Sequence, residues 1–418
     1  MNSFRVAWRN IWRNGRRTGI TAAAVCLSTA VLVLTFGLMR GMKVDTMHNI
    51  THLVIGDAQI HAPGYLEDRS FYKAVDKADA LLGIADKAGI KAAPRSFGYG
   101  LVSVGTKSAG ARYWGVDPAR EKVAFDLPKK IMKGRFLSEK AEGRSYMGRP
   151  VRELVLGRKL ARTLHAEVGT EVVAVVQAAD GSLGNELFVV TGILKTVGEE
   201  IDRSAAIIHK VDFAELFVSG GRIQEIALNA RDSMSPEQVV ATMGGLEQGA
   251  EAELDVKTWR ELSPSLADMM SMWDAGMWIF ALIFLLAAGL GVMNTMLMAT
   301  YERIREFGML KALGTTPWRI LKDVTIEAFT LGLFSCLLGA GLGVLGIAYL
   351  AASPIDLSAA GGDLFLEGVA FEPMWRAAFT VKGVIQPVLV TLLVCVLASL
   401  YPAVKAARLN PVRAMQHV

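Results

Sequence analysis

Four apolar blocks constrain this chain more than any other feature. They run over 19–39, 275–300, 324–352 and 383–404, and each reaches the roughly 18 to 20 residues that a helix needs to cross a bilayer. Backbone groups in lipid must be paired within their own segment, so blocks of this length and composition are expected as helices. The stretch between the first two blocks has ordinary globular composition and is far too long for a connecting loop. The expected fold class is a membrane protein with four transmembrane α-helices and a large α+β extracytoplasmic domain between helices 1 and 2.

Charge placement orients these parts. The formal net charge of +5 comes largely from residues beside the blocks, which argues against a nucleic-acid partner. Arg5, Arg9, Arg13, Arg16 and Arg17 precede the first block, and Lys405, Arg408 and Arg413 follow the last. Arg303, Arg305, Lys311, Arg319 and Lys322 occupy the short connection between the second and third. The loop over 353–382 instead carries Asp356, Asp363, Glu367 and Glu372 against Arg376 and Lys382. The positive-inside rule then puts both termini and the 301–323 connection in the cytoplasm and the large domain on the opposite side. No charged residue lies deep within the blocks, which argues against an ion-coupled transporter. Cys26, Cys336 and Cys395 all fall inside blocks, so the extracytoplasmic domain has no disulfide to form and the thiols are expected to be inert.

The chain divides accordingly. Residues 1–18 read as a cytoplasmic interfacial helix, with Trp8, Ile11 and Trp12 at helical spacing among arginines. A cleaved signal peptide is the competing reading, but the apolar block is too long and lacks a small-residue cleavage site. The first span and its stalk occupy 19–44, the extracytoplasmic domain 45–272, span two 273–300, span three 324–352 and span four 383–404, with a cytoplasmic tail over 405–418. Within the domain, strands are expected at 53–61, 100–105, 112–116, 171–177, 186–194, 205–208, 222–230 and 251–256, and helices at 70–88, 157–164, 211–217, 236–248 and 258–268. His48, His52 and His61 stand in no metal-ligand spacing with carboxylates or cysteines, so no metal site is expected. No catalytic arrangement and no Gly-x-x-x-x-Gly-Lys-Ser/Thr phosphate loop occurs. The chain therefore reads as non-catalytic, with no cofactor of its own.

The most specific stretch runs from Asn294 to Ile320. Its apolar run stops at Tyr301, and Glu302, Arg303, Arg305 and Glu306 follow at spacings that permit pairing along a helix. Ile304, Phe307, Met309, Leu310 and Leu313 supply an apolar face, and Gly314-Thr-Thr-Pro317 ends the helix. In span three, Gly339 and Gly343 lie four apart, the spacing that permits close helix packing in lipid.

The Asn294–Gly314 stretch resembles the signature of FtsX-like and MacB-like ABC transporter permeases, matched here at Asn294, Thr295, Glu302, Arg303, Arg305, Glu306, Phe307, Gly308, Leu310, Lys311, Ala312, Leu313 and Gly314. The stretch Ala7-Trp-Arg-Asn-Ile-Trp-Arg-Asn14 and the tail Tyr401–Met415 are similar to the same family. The resemblance implies that 301–323 is a coupling helix loop docking on a separate ATPase, with Glu302, Arg303, Arg305, Glu306, Gly308, Lys311 and Gly314 as its coupling residues. It also implies porter-like flanks over 45–115 and 219–272 around a β-rich insertion over 116–218. The resemblance further implies a bacterial inner membrane with the large domain in the periplasm, and as partners a cytoplasmic ABC ATPase dimer, which would bring ATP and Mg, and a second permease copy, identical or paralogous. Gln59-Ile-His-Ala-Pro-Gly-Tyr65 is similar to a stretch in LolC/LolE-type lipoprotein-releasing permeases, which points to a lipoprotein substrate passed to a periplasmic carrier. Export of a small amphiphile or peptide, and regulation of a periplasmic hydrolase, remain alternatives.

Overall fold

The computed structural model describes residues 15–141, 143, 145–146, 149–231, 233–244, 254–356, 364–366, 369–371 and 374–410. Residues 1–14 of the expected interfacial helix, 245–248 and 251–253 of two expected elements, and the tail beyond 410 lie outside them. The chain forms two compact units. One comprises Met1–Val44, Met269–Leu357 and Met374–Val418, the other Asp45–Asp268 and Ser358–Pro373.

The first unit is built on long helices, Gly15–His48, Pro264–Glu302, Pro317–Ala352 and Val381–Ala407, all apolar and long enough to span a membrane. Glycines set their separations. A Cβ on Gly339 would lie 2.4 Å from the Cys26 carbonyl oxygen, and one on Gly343 would lie 2.7 Å from the Val33 Cβ. The third helix therefore touches the first backbone to backbone where lipid supplies no hydrophobic drive for association. Hydroxyls add local ties. Thr21 and Thr295 hydrogen-bond across two helices, and Thr29 Oγ1 donates to Cys336 Sγ over 3.6 Å. The opposite faces are apolar and exposed, as at Ile279, Phe280, Ile283, Leu286 and Leu290, which suits contact with lipid tails.

The second unit is α/β around one ten-stranded sheet. From one edge its order is Asp255–Thr258, Ala58–His61, Glu225–Asn229, Lys91–Val104, Lys107–Val116, Ala205–His209, Arg152–Leu156, Leu183–Leu194 and Ile131–Gly134. Glu171–Gln177 pairs with Leu183–Leu194 and also with Lys91–Val104, and this second pairing closes a ring of six strands. Closure removes the edges that an open sheet would expose. Glu171–Gln177 shows the alternation a barrel wall needs: Val172, Ala174 and Val176 are buried among Tyr113, Leu154, Phe188 and Ile208, while Glu171, Val173 and Gln177 are exposed.

The long strand Lys91–Val104 belongs to both halves. Residues 91–95 pair with Glu225–Asn229 and residues 100–103 with Glu171–Gln177. The ring thus takes two strands from the segment read as the first flank, and the division at 116 falls at the end of a hairpin whose other strand continues into the flank sheet. On that flank sheet, Ala78–Lys87 and Pro236–Gly244 bury Leu81, Leu82, Ala85, Val239 and Met243 against Ile60, Ala92, Ile226 and Leu228.

Two expected elements are corrected. The helix expected over 70–88 covers only Ala78–Lys87, preceded by a turn of helix at Tyr65–Asp68. Phe71 is drawn aside to stack on Phe213 and Phe217 at 6.3 and 5.8 Å, and Lys77 has a left-handed φ of 52°. The strand expected from 53 begins at Ala58, because Asn49–Val54 continues the first helix as a π-helix and Gly56 turns at φ 85°.

Candidate functional site

The segment between the second and third long helices forms a bent elbow. The second helix ends at Glu302, and Ile304–Ala312 follows as a separate short helix. Gly314, at φ 90°, ends it with a Schellman pair: Thr315 N–H donates to Leu310 O, and Gly314 N–H to Lys311 O, both at 3.0 Å. Pro317 then opens the third helix at a position where its missing N–H costs nothing.

Among the described residues, Phe307, Lys311 and Arg303 fasten the elbow to the helix bundle. Phe307 is buried with Ile320, Val324, Ala403 and Ala406. Lys311 Nζ donates to the carbonyls of Ala407 and Leu409 at 2.8 and 2.7 Å, capping the fourth helix. Arg303 donates through Nε to Glu306 and through Nη1 to Glu327, each at 3.0 Å, with its guanidinium 5.2 Å from the Phe307 ring centre. Glu327, an acid of this tie, lies at one end of the third block, not deep within it. It sits one turn into the third block, its side chain only 13% exposed and paired with Arg303.

The coupling residues named from sequence therefore separate. Arg303, Lys311 and the buried Gly308 face the bundle or its ends, whereas Glu302 and Arg305 are exposed. The expected apolar face divides in the same way. Ile304 and Phe307 are buried, but Met309, Leu310 and Leu313 are exposed, Leu313 at 85%, as is Trp318 at 73%. Spacing grouped Ile304, Phe307, Met309, Leu310 and Leu313 as one apolar face; it could not show which of them the bundle covers, because that depends on Ile320, Val324, Ala403 and Ala406, all outside the short helix. Glu327 was missed for another reason: its partner is far along the chain, and no local pattern announces the pair.

The α/β unit holds a second candidate, a cavity of about 270 Å³ lined by Gln59, His61, Tyr65, Arg95, Arg112 and Trp114 among others. Arg95 and Glu225 in its lining belong to a buried charge cluster. Arg95 donates through Nη2 to Glu121 at 2.7 Å and through Nη1 to Glu225 at 3.1 Å, with both Arg95 and Glu121 at most 1% exposed. Burial works against the Arg95 charge, but Glu121 and Glu225 outweigh it and hold the guanidinium protonated. Arg112 lies over Phe97 at 4.3 Å and pairs with Glu200 at 3.0 Å. The Gln59–Tyr65 stretch is consumed by the fold here: His61 bonds Gln59 Oε1 at 2.9 Å and Gln224 O at 3.1 Å, and stacks on Tyr65. Burial, aided by Glu225, pushes the Tyr65 phenol above its ordinary range.

Residues 18–246 match the MacB-like periplasmic core domain, and residues 278–411 match the FtsX-like permease C-terminal family. A pyoverdine export ATP-binding/permease protein, PvdT, of Pseudomonas fluorescens is 24% identical over 99% of this chain and 59% of its own length. The chain thus spans about three fifths of that relative. The lipoprotein-releasing system transmembrane protein LolC of Neisseria meningitidis is 22% identical over 97% of this chain and 96% of its own length. The periplasmic region of MacB from Actinobacillus actinomycetemcomitans is 16% identical with a TM-score of 0.37, covering 50% of this chain and 92% of that one.

Proposed function

We propose that this chain, which belongs to the family of permeases joining a MacB-like periplasmic core domain to an FtsX-like C-terminal domain, is the permease subunit of an ABC transporter that works by mechanotransmission. An ATPase on the cytoplasmic side would dock on the elbow, and its nucleotide-driven closure would pass through the long helices to the α/β unit. A second permease copy would complete the assembly, and ATP and Mg would be held by the ATPase.

One observation carries this reading: an elbow fastened to the bundle yet exposing Met309, Leu310, Leu313 and Trp318. Large exposed apolar side chains on the same short segment as the exposed charges Glu302, Arg305 and Arg319 have the character of a protein-docking surface. Rigid attachment matters, because a lever that yields at its base transmits nothing.

For substrate, the reading is extraction of lipoproteins from the inner membrane. The near full-length match to a protein named for lipoprotein release supports it. Export of a small amphiphile is the second reading, favoured by the match to pyoverdine exporters. A cysteine placed at Leu313 in a variant lacking Cys26, Cys336 and Cys395 tests the docking reading. It should react with a membrane-impermeant maleimide only after cells are permeabilised, and should be shielded when an ATPase is bound. Labelling in intact cells would refute the orientation. Stimulation of the complex's ATPase by purified lipoproteins, against stimulation by small amphiphiles alone, separates the two substrate readings.

A further inference from the structure

The first long helix ends in a histidine, and four residues later a second histidine lies on the same side of the chain. His48 closes Gly15–His48, and His52 sits within the π-helix Asn49–Val54. Their rings stack at 4.3 Å with planes 23° apart. Asp126, distant in sequence, approaches them from the turn after Pro118–Ala124. One ligand atom from each of the three residues lies within 4.8 Å of the others.

We propose that His48, His52 and Asp126 form a site for a divalent transition-metal ion of the zinc class, completed by water. Two imidazoles and one carboxylate suit zinc, copper or nickel better than magnesium or calcium, which prefer all-oxygen sites. The separation of His48 Nε2 from Asp126 Oδ2 is 3.5 Å, longer than a good hydrogen bond and close to the edge of a tetrahedron with bonds of about 2.0 to 2.1 Å.

The surrounding contacts hold the ligands in place. Asp126 N–H donates to His52 O at 2.8 Å, joining the two ligand-bearing segments through their backbones. Asn229 Nδ2 donates to Thr51 O at 3.2 Å, and Thr51 Oγ1 to Met47 O at 3.0 Å. Lys129 and Arg231 both bind Asp126 Oδ1, at 2.8 and 3.3 Å. That fixes the carboxylate and directs Oδ2 at His48, as outer contacts do around metal ligands. The His48 side chain is 52% exposed, which leaves an entry path and room for water. Lys129 and Arg231 also repel a cation, so the affinity is expected to be moderate. The ion would pin the π-helical turn to the Asp126 loop, and its release would free that turn.

The test uses the full-length chain in detergent micelles, without a polyhistidine tag. Zinc chloride is titrated by calorimetry, and cobalt chloride by visible absorption. Wild type and the remote control His165→Ala should each bind one ion per chain with the same affinity. His48→Ala and Asp126→Asn should weaken binding by about tenfold or more and abolish the tetrahedral cobalt bands. His52 is buried, so its variant is informative only alongside the exposed His48→Ala, which leaves the core untouched. No saturable binding by wild type overturns the assignment. So does wild-type affinity in either His48→Ala or Asp126→Asn.

Discussion

The Arg303 guanidinium lies 3.0 Å from the Glu327 carboxylate, and this pair joins the bend of the elbow to the third long helix. Both side chains are mostly buried, at 20% and 13% exposure. Removing one partner would leave the other charge poorly solvated, a larger loss than the pair's own net contribution. Glu327→Gln is expected to lower the unfolding midpoint in detergent, the loss in unfolding free energy being about 1 to 3 kcal/mol for a pair that keeps some water. The reversed pair Arg303→Glu with Glu327→Arg should recover part of that loss. A double variant no better than the sum of its singles would show that the two residues do not act together.

Gly339 and Gly343 make a separate prediction about helix packing. Gly339→Ala drives a methyl into the Cys26 carbonyl, whereas Gly341 has nothing within 4 Å of an added Cβ. Gly339→Ala and Gly343→Ala should each destabilise the bundle by about 1 to 3 kcal/mol, and Gly341→Ala should be near neutral. Thermal unfolding in a mild detergent reads the difference. Equal effects at 339 and 341 would remove the close contact from consideration.

These two sites show what a linear reading can and cannot reach. The four spans and the Gly339/Gly343 spacing are visible because membrane helices declare themselves through length, hydropathy and local period. The Schellman turn at Gly314 is equally local. What could not be read is everything that depends on a partner distant in sequence: Glu327 for Arg303, the Ala407 and Leu409 carbonyls for Lys311, Asp126 for the two histidines. The ring of six strands was hidden for the same reason. Each strand has a local pattern, but the second pairing of Glu171–Gln177 with Lys91–Val104 has none. Phe71 illustrates the reverse error, where helix spacing suggested a helix over 70–88 and an aromatic stack won instead.

Glu153 links the α/β unit to pH. Its side chain is fully buried and accepts from Arg135 Nη2 at 2.5 Å, Ser138 N–H at 2.6 Å and Ser138 Oγ at 2.9 Å. Burial alone would raise its pKa, but these donors outweigh burial and hold it below the ordinary carboxylate value of 4.5. A folded-state pKa below the unfolded one stabilises the fold at all pH above the unfolded value. That contribution falls as pH drops from about 4.5 toward the lower folded value, because protonation is then easier in the unfolded chain. Glu153→Gln should therefore be less stable than wild type at neutral pH and should narrow the gap below pH of about 4. A gap independent of pH would assign the loss to packing alone.

The exposed face of the elbow gives the sharpest test of force transmission, because the structure separates it from the face that holds the elbow in place. Reversing Glu306 or Arg303 disturbs an internal tie, so loss of function there would not distinguish docking from local collapse. Leu313 and Trp318 make no such tie and are 85% and 73% exposed. Leu313→Glu and Trp318→Glu should leave the unfolding free energy within about 0.5 kcal/mol of wild type while lowering recovery of a copurifying ATPase by about tenfold, as for loss of an apolar anchor at an interface. Charge reversal at the exposed Glu302 or Arg305 should reduce transport with a milder effect on recovery, since charges at an interface rim affect encounter more than retention. The two classes are read together, midpoint against pull-down. If Leu313→Glu and Trp318→Glu both retain the ATPase at wild-type recovery, the exposed patch is not the docking face.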